Sequence, residues 1–263
     1  MNKEQENVKI LAIGDVCGSA GCKALSQKMG ALRREHAPDL VIVNGENATG
    51  RGISPALADD IFYAGADVIT LGNHAFDNRQ ILPYLDEGRP IVRPYNVAPV
   101  WPGQGYAVVD CLGKRVCVAS LMGRLNLGFN HDSPFTAADK LLETVKADLF
   151  VIDFHAEATS EKKAMGYHLD GRCAAVFGTH THVQTSDARI LPQGTGYLTD
   201  LGMTGSQESV IGVKWEHSLA YFRGGPAPRF ENAHDECHVQ GALFTLDDAG
   251  RCQSVRLIDV QCL

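Results

Sequence analysis

Ala174-Ala175-Val176-Phe177-Gly178-Thr179-His180-Thr181-His182 decides how this chain is read: a short apolar run of strand length stops at a glycine, and two imidazoles follow at once. Three earlier segments have the same form. Val8 to Ile13 ends in Gly14-Asp15, Leu40 to Val43 ends in Asn44-Gly45-Glu46-Asn47, and Val68 to Leu71 ends in Gly72-Asn73-His74. A fifth, Leu149 to Phe154, ends in His155-Ala156-Glu157. Read as buried strands, these runs each deliver oxygen or nitrogen ligands at a carboxyl end. Open α/β sheets bind ligands in the crevice beyond those ends, so residues far apart in sequence are expected to converge there.

Working outward, Gly18 to Gly21 reads as a glycine-rich turn into a helix from about Cys22 to Glu35, with Leu25, Met29 and Leu32 on one face. Pro55 to Tyr63 reads as a second helix, and Arg79 to Asp86 as a short helical stretch interrupted by Pro83 before a strand at Pro90 to Arg93. Alternating strands and helices imply parallel pairing with right-handed crossovers. Tyr106–Cys111 and Arg115–Leu121 flank Gly113 as a hairpin, and Val239–Leu246 and Ser254–Val260 flank Asp247–Gly250 as another. The expected fold class is therefore α/β, with two packed mixed β-sheets and helices outside them. Gly224 to Pro228 reads as a loop. Because the five strand-end motifs run from Asp15 to His182, a single domain over 1–263 is expected; a boundary between them would divide the site.

A net charge of −7 and the lack of any Lys/Arg block leave no field for holding long nucleic acid. Met1 to Glu6 is polar, and no apolar run approaches the ~18 residues of a membrane span, so a cytoplasmic protein with no membrane partner is expected. Eight cysteines occur without a CxxC pair, several within apolar runs such as Val116-Cys117-Val118. They read as reduced core thiols.

Asp15, Glu46, Asn47, Asn73, His155, His180 and His182 make seven candidate metal ligands. That is too many for one tetrahedral zinc and suits two ions sharing a bridge. Each has a plainer reading by itself: Gly-Asp caps helices, Asn-Gly makes turns, and a histidine after a strand often serves structure alone. Five separate strand ends all carrying ligand-type residues weigh against coincidence. Imidazole and carboxylate together accept iron, manganese or zinc.

The order Gly14-Asp15, Glu46-Asn47, Gly72-Asn73-His74, His155 and Gly178-Thr179-His180-Thr181-His182 resembles the calcineurin-like metallophosphoesterases. Gly14-Asp15-Val16, Asn44 to Asn47, the run Asp153 to Glu161, and Gly178 to Thr185 resemble more narrowly the bacterial YmdB-like subfamily. The resemblance implies a metallophosphoesterase-type α-β-β-α fold and two divalent or mixed-valence ions, iron or manganese first and zinc as a further choice. It implies that Asp15, Glu46, Asn47 and His182 hold one ion, and Glu46, Asn73, His155 and His180 the other. The superfamily's usual Asp-x-His has Cys17 at its third position here, and Asn47 takes the place of the lost imidazole; Cys17 as a soft ligand is the alternative.

Such a centre can hold a hydroxide between its ions for in-line attack on phosphorus. His74 is then placed as the general acid that protonates the departing oxygen. Two dications, less the charges of Asp15, Glu46 and the hydroxide, leave one positive charge, the complement of a phosphodiester monoanion. The resemblance points to 2′,3′-cyclic nucleotides as the small-molecule substrate. A phosphomonoesterase or nucleotidase, and a regulatory protein with incidental catalysis, stand as alternatives. Arg124 could bind phosphate or form a surface ion pair, and Glu157 and Asp200 could orient ligand imidazoles or serve as caps. A homo-oligomer is compatible with the sequence, and no residue identifies an interface.

Overall fold

The computed structural model describes residues 7–128, 130–226 and 228–262. The polar start read at Met1 to Glu6 lies outside them, as does Ala227 of the loop read at Gly224 to Pro228. One sheet takes β1 (Val8–Ile13), β2 (Asp15–Val16), β3 (Leu40–Asn44), β4 (Val68–Thr70) and β5 (Ile91–Val92). The other holds β6 (Tyr106–Cys111), β7 (Lys114–Met122), β8 (Leu149–His155), β9 (Ala175–Thr179), β10 (Arg189–Ile190) and β11 (Gly196–Leu198). The chain then returns to the first sheet as β12 (Met203–Ser206), β13 (Cys237–Leu246) and β14 (Cys252–Gln261).

β1, β3, β4 and β5 pair in parallel, and so do β7, β8, β9 and β11; β13 runs antiparallel to β1 and to β14, and β6 antiparallel to β7. Both sheets are thus mixed, as expected. Side chains alternate between faces along each strand. Ile10 and Ala12 of β1 pack between the sheets with Val118, Val151, Phe177 and Phe244. Leu11 and Ile13 face outward onto α1 (Gly18–His36) and α2 (Pro55–Ala64) through Leu25, Met29, Leu32 and Ile61. After α3 (Ile81–Leu85), the helices α4 (Pro134–Thr144) and α5 (Thr159–Leu169) cover the outer face of the second sheet, where Ala119, Ile152 and Phe154 meet Ala138, Leu141 and Met165. Strands buried on both faces read as continuous apolar runs, which is why they stood out in the sequence.

Three readings need correction. α1 begins at Gly18, not near Cys22: Gly18 (φ +62°) turns the chain, and a Cβ on Gly21 would lie 2.2 Å from the Thr204 carbonyl oxygen, so the glycines let the first helical turn sit against β12. Pro83 does not interrupt α3. It stands in the first turn, where its missing N–H has no helical acceptor to lose. All eight cysteines are free, but Cys22, Cys237 and Cys262 are half-buried at the margin of the outer core, not within it. No helix among the described residues is long and apolar enough to cross a membrane.

Candidate metal centre

Parallel pairing brings the carboxyl ends of β1, β3 and β4 to one end of the first sheet, and those of β8 and β9 to one end of the second. The two ends are tied directly. Asp153, the one charged residue inside the apolar run of β8, receives Thr70 Oγ1 at 2.5 Å and Asn44 Nδ2 at 3.1 Å, both from the first sheet. Ser120 Oγ donates to the Leu71 carbonyl at 2.6 Å.

At this junction His155 Nε2 lies 2.8 Å from Asn73 Oδ1, 3.0 Å from Glu46 Oε1 and 3.1 Å from His180 Nδ1. One N–H cannot serve three acceptors, whereas a cation among these four atoms would be answered by all of them. Bonds of ~2.1 Å to N and O ligands give neighbouring ligand atoms separations of about 3.0 Å at octahedral angles and about 3.4 Å at tetrahedral ones. Glu46, His155 and His180 form the group among the described residues whose ligand atoms all lie within 4.8 Å of one another.

The other three candidates lie beside them. Asp15 is fully buried; its Oδ2 accepts the His180 N–H at 3.2 Å, and its Oδ1 has no hydrogen-bond partner, with His182 Nε2 3.8 Å away. Asn47 Oδ1 is likewise buried without a donor, while its Nδ2 donates to Gly50. His182 Nδ1 donates to the Ile211 carbonyl at 3.0 Å, which leaves Nε2 as the lone-pair nitrogen facing Asp15. Orphaned buried oxygens are costly unless something compensates them. The donor set therefore fits bound cation chemistry at this junction.

The imidazoles are oriented from behind. Thr179 Oγ1 donates to Asp153 at 2.6 Å, so it accepts from His155 Nδ1 at 2.9 Å and fixes Nε2 as the inward nitrogen. Glu157 Oε2 lies 3.2 Å from His180 Nε2, and the Nδ1 of that ring faces His155. Asp200 touches no ligand imidazole. It accepts from Thr181 N and Oγ1 at 3.2 and 2.8 Å and from Lys162 Nζ at 2.5 Å, so it holds the loop, not the ring. His180 and His182 have φ of +100° and +62°, left-handed backbone that side-chain-bearing residues adopt at a cost and that these anchors sustain.

Arg124 is exposed and has no ion pair among the described residues; its amide and that of Leu125 donate to the Glu161 carboxylate at 2.9–3.2 Å. Cys17 is buried against Gly212 and the Ile211 carbonyl, and burial pushes its thiol up to about 12. His74 is held by Asp77 Oδ2, 2.8 Å from Nδ1, and its Nε2 accepts from Asn73 Nδ2 at 3.2 Å. Sequence reading assigned no role to Asp153, Thr179 or Asp77. For Asp153 a signal existed in the charge set within a six-residue apolar run.

Burial alone would lower His155, but the Glu46 carboxylate beside it outweighs burial and raises it to about 9 in the cation-free protein. Burial would raise Glu46, which His155 brings down to about 2. A cation bound there would take the place of the His155 proton, so affinity is expected to rise with pH up to about 9 and binding at pH 7 to release that proton. Calorimetric metal titrations in buffers of different ionisation enthalpy measure this; identical heats in all buffers would contradict it.

Gly72 shows how tightly the candidate ligands are set. A Cβ there would stand 2.3 Å from the His155 ring, so Gly72→Ala is expected to displace the imidazole and weaken metal binding by roughly 10–100-fold, as lost orienting contacts do. Equilibrium dialysis would register it, and wild-type affinity would contradict it.

The family described as YmdB-like protein matches residues 11–258. The chain is 42% identical over 244 residues to the 2′,3′-cyclic-nucleotide 2′-phosphodiesterase of Bacillus subtilis, with 92% of each covered. A hypothetical protein of Thermus thermophilus has a crystal structure similar at TM-score 0.90 and 40% identity, covering 97% of this chain and 99% of that one. A putative 5′-nucleotidase of Staphylococcus aureus shares the fold alone, at TM-score 0.63 and 16% identity, covering 97% of this chain and 54% of that one. With the two-sheet architecture and a match along nearly its whole length, this chain belongs to the YmdB-like family of metallophosphoesterase-fold proteins.

Proposed function

We propose that this chain is a metal-dependent phosphoric diester hydrolase that opens 2′,3′-cyclic nucleoside monophosphates. Asp15, Glu46, Asn47 and His182 would hold one cation, and Glu46, Asn73, His155 and His180 the other. The observation that carries the reading is His155 Nε2 meeting three acceptors at 2.8–3.1 Å, with unpartnered Asp15 and Asn47 oxygens nearby. The activity named for the Bacillus relative at 42% identity supports the substrate class. Two divalent ions, iron or manganese foremost and zinc as the other choice, supply Lewis-acid activation of water and phosphoryl oxygen when bound.

The protein's own groups bind and orient. Asp15 and Glu46 set the charge of the centre so that a diester monoanion balances it better than a monoester dianion does. His74 delivers a proton to the departing ribose oxygen. In the resting geometry its Nδ1 proton faces Asp77 and its Nε2 accepts the Asn73 amide, so a second proton at Nε2 makes it the acid, with Asp77 steadying the resulting imidazolium. His74→Gln is expected to lower turnover by about 10²–10⁴-fold at unchanged metal content. Full turnover in that variant would remove His74 from the mechanism. The same reading treats residues 1–263 as one metallophosphoesterase domain, since the proposed ligands come from both sheets. It places the enzyme in the cytoplasm, where RNA breakdown produces cyclic phosphates.

A panel of 2′,3′-cyclic AMP, 3′,5′-cyclic AMP, an aryl phosphodiester and AMP, each with added Mn²⁺, tests the substrate class. Fastest hydrolysis of 2′,3′-cyclic AMP is expected. Equal or faster release of phosphate from AMP would overturn it in favour of a phosphomonoesterase.

A further inference from the structure

Arg93, just beyond β5, is 6% exposed, yet no carboxylate pairs with it among the described residues. Its Nη1 donates to the Pro94 carbonyl at 2.9 Å, and its Nε is buried without an acceptor. A guanidinium carries five N–H donors and is rarely buried unpaired, because taking the charge out of water costs several kcal/mol unless an anion answers it. Burial indeed pulls its pKa down, with Asp86 only partly offsetting this. Asp86 itself is engaged with the Gly103 amide at 2.8 Å.

Arg93 also lines a cavity of about 370 Å³ between the β5 and β6 edges of the two sheets and α4. That volume lies within the ~300–1,000 Å³ range of small-molecule sites. Tyr95 and Tyr106, half-buried in a T-shaped pair with ring centroids 6.1 Å apart, add two aromatic side chains to the lining. Lys140 adds a second positive charge, and Ser133, preceding α4, caps no helix amide with its hydroxyl. Asp132 stands exposed on the lining, so one positive charge remains when it is set against Arg93 and Lys140. None of the seven candidate metal ligands lines this cavity.

We infer that this cavity is a second ligand site, separate from the metal centre, for a small metabolite that seats an oxyanion on Arg93 and a planar ring against Tyr95 and Tyr106. The oxyanion chemistry is shared by phosphate and carboxylate groups, and charge-assisted bonds from guanidinium suit both. Isothermal titration of the metal-loaded protein with AMP and, separately, with nicotinate distinguishes the two. Wild-type protein is expected to bind one more equivalent of at least one probe than Arg93→Met binds. Lys140→Glu, on an exposed position, is expected to weaken that equivalent by about tenfold. Both variants are expected to keep wild-type turnover of 2′,3′-cyclic AMP, since neither residue belongs to the metal centre. Equal stoichiometry in wild type and Arg93→Met for both probes overturns the inference. Should Arg93→Met lose turnover as well, Lys140→Glu decides: unchanged affinity overturns it and weakened affinity supports it.

Discussion

Glu46→Gln should abolish most hydrolysis of 2′,3′-cyclic AMP and leave at most one metal per chain. Glu46 is 1% exposed, and its two oxygens face different groups: Oε1 lies 3.0 Å from His155 Nε2, and Oε2 accepts the His74 N–H at 3.2 Å. It is the one carboxylate assigned to both cations, so the amide removes a negative charge from both proposed sites at once. Loss of an outer partner costs roughly 10–100-fold in metal affinity or activity, and loss of a shared ligand should exceed that. Metal analysis and turnover measured on the same preparation test this. Two metals per chain with turnover within tenfold of wild type would show that Glu46 bridges nothing.

Lys162→Met should give the largest loss of stability. Lys162 lies on α5, its side chain 2% exposed, and Nζ donates to the Thr179 carbonyl at 2.8 Å and to Asp200 Oδ2 at 2.5 Å. Asp200 is equally buried and also receives Thr181 and the Gly202 amide. Methionine fills the volume but leaves a buried carboxylate without its cation, a change worth about 3–5 kcal/mol. Urea unfolding at neutral pH measures it. A loss below about 1 kcal/mol would show that the Thr181 and Gly202 donors already satisfy Asp200. Since Asp200 also fixes the loop carrying His180 and His182, metal affinity should fall with stability.

What the sequence disclosed follows from what is local. Strands buried on both faces wrote themselves as unbroken apolar runs, and the residues just past their ends stood out by type. Asp15, Glu46, Asn47, Asn73, His155, His180 and His182 could be singled out without coordinates for that reason. The contacts that orient them depend on how one sheet meets the other. Asp153 is bound by Thr70 and Asn44 from the opposite sheet, and neither spacing nor periodicity encodes that pairing. Asp200 was legible as a carboxylate near the histidine loop, but its partner Lys162 comes from a helix packed beneath it. The start of α1 is hidden in the sequence because glycines that commonly mark a turn here permit close packing of the first helical turn on β12. Arg93 gave no sequence signal, since an arginine after a short strand reads as surface until its burial is known.

The most direct test is a titration of chelator-stripped protein with Mn²⁺, following hydrolysis of 2′,3′-cyclic AMP and bound metal together. Hydrolysis that appears fully only as the second equivalent binds is the expected result. Full activity at one equivalent, or activity indifferent to metal, would contradict a two-metal phosphodiesterase.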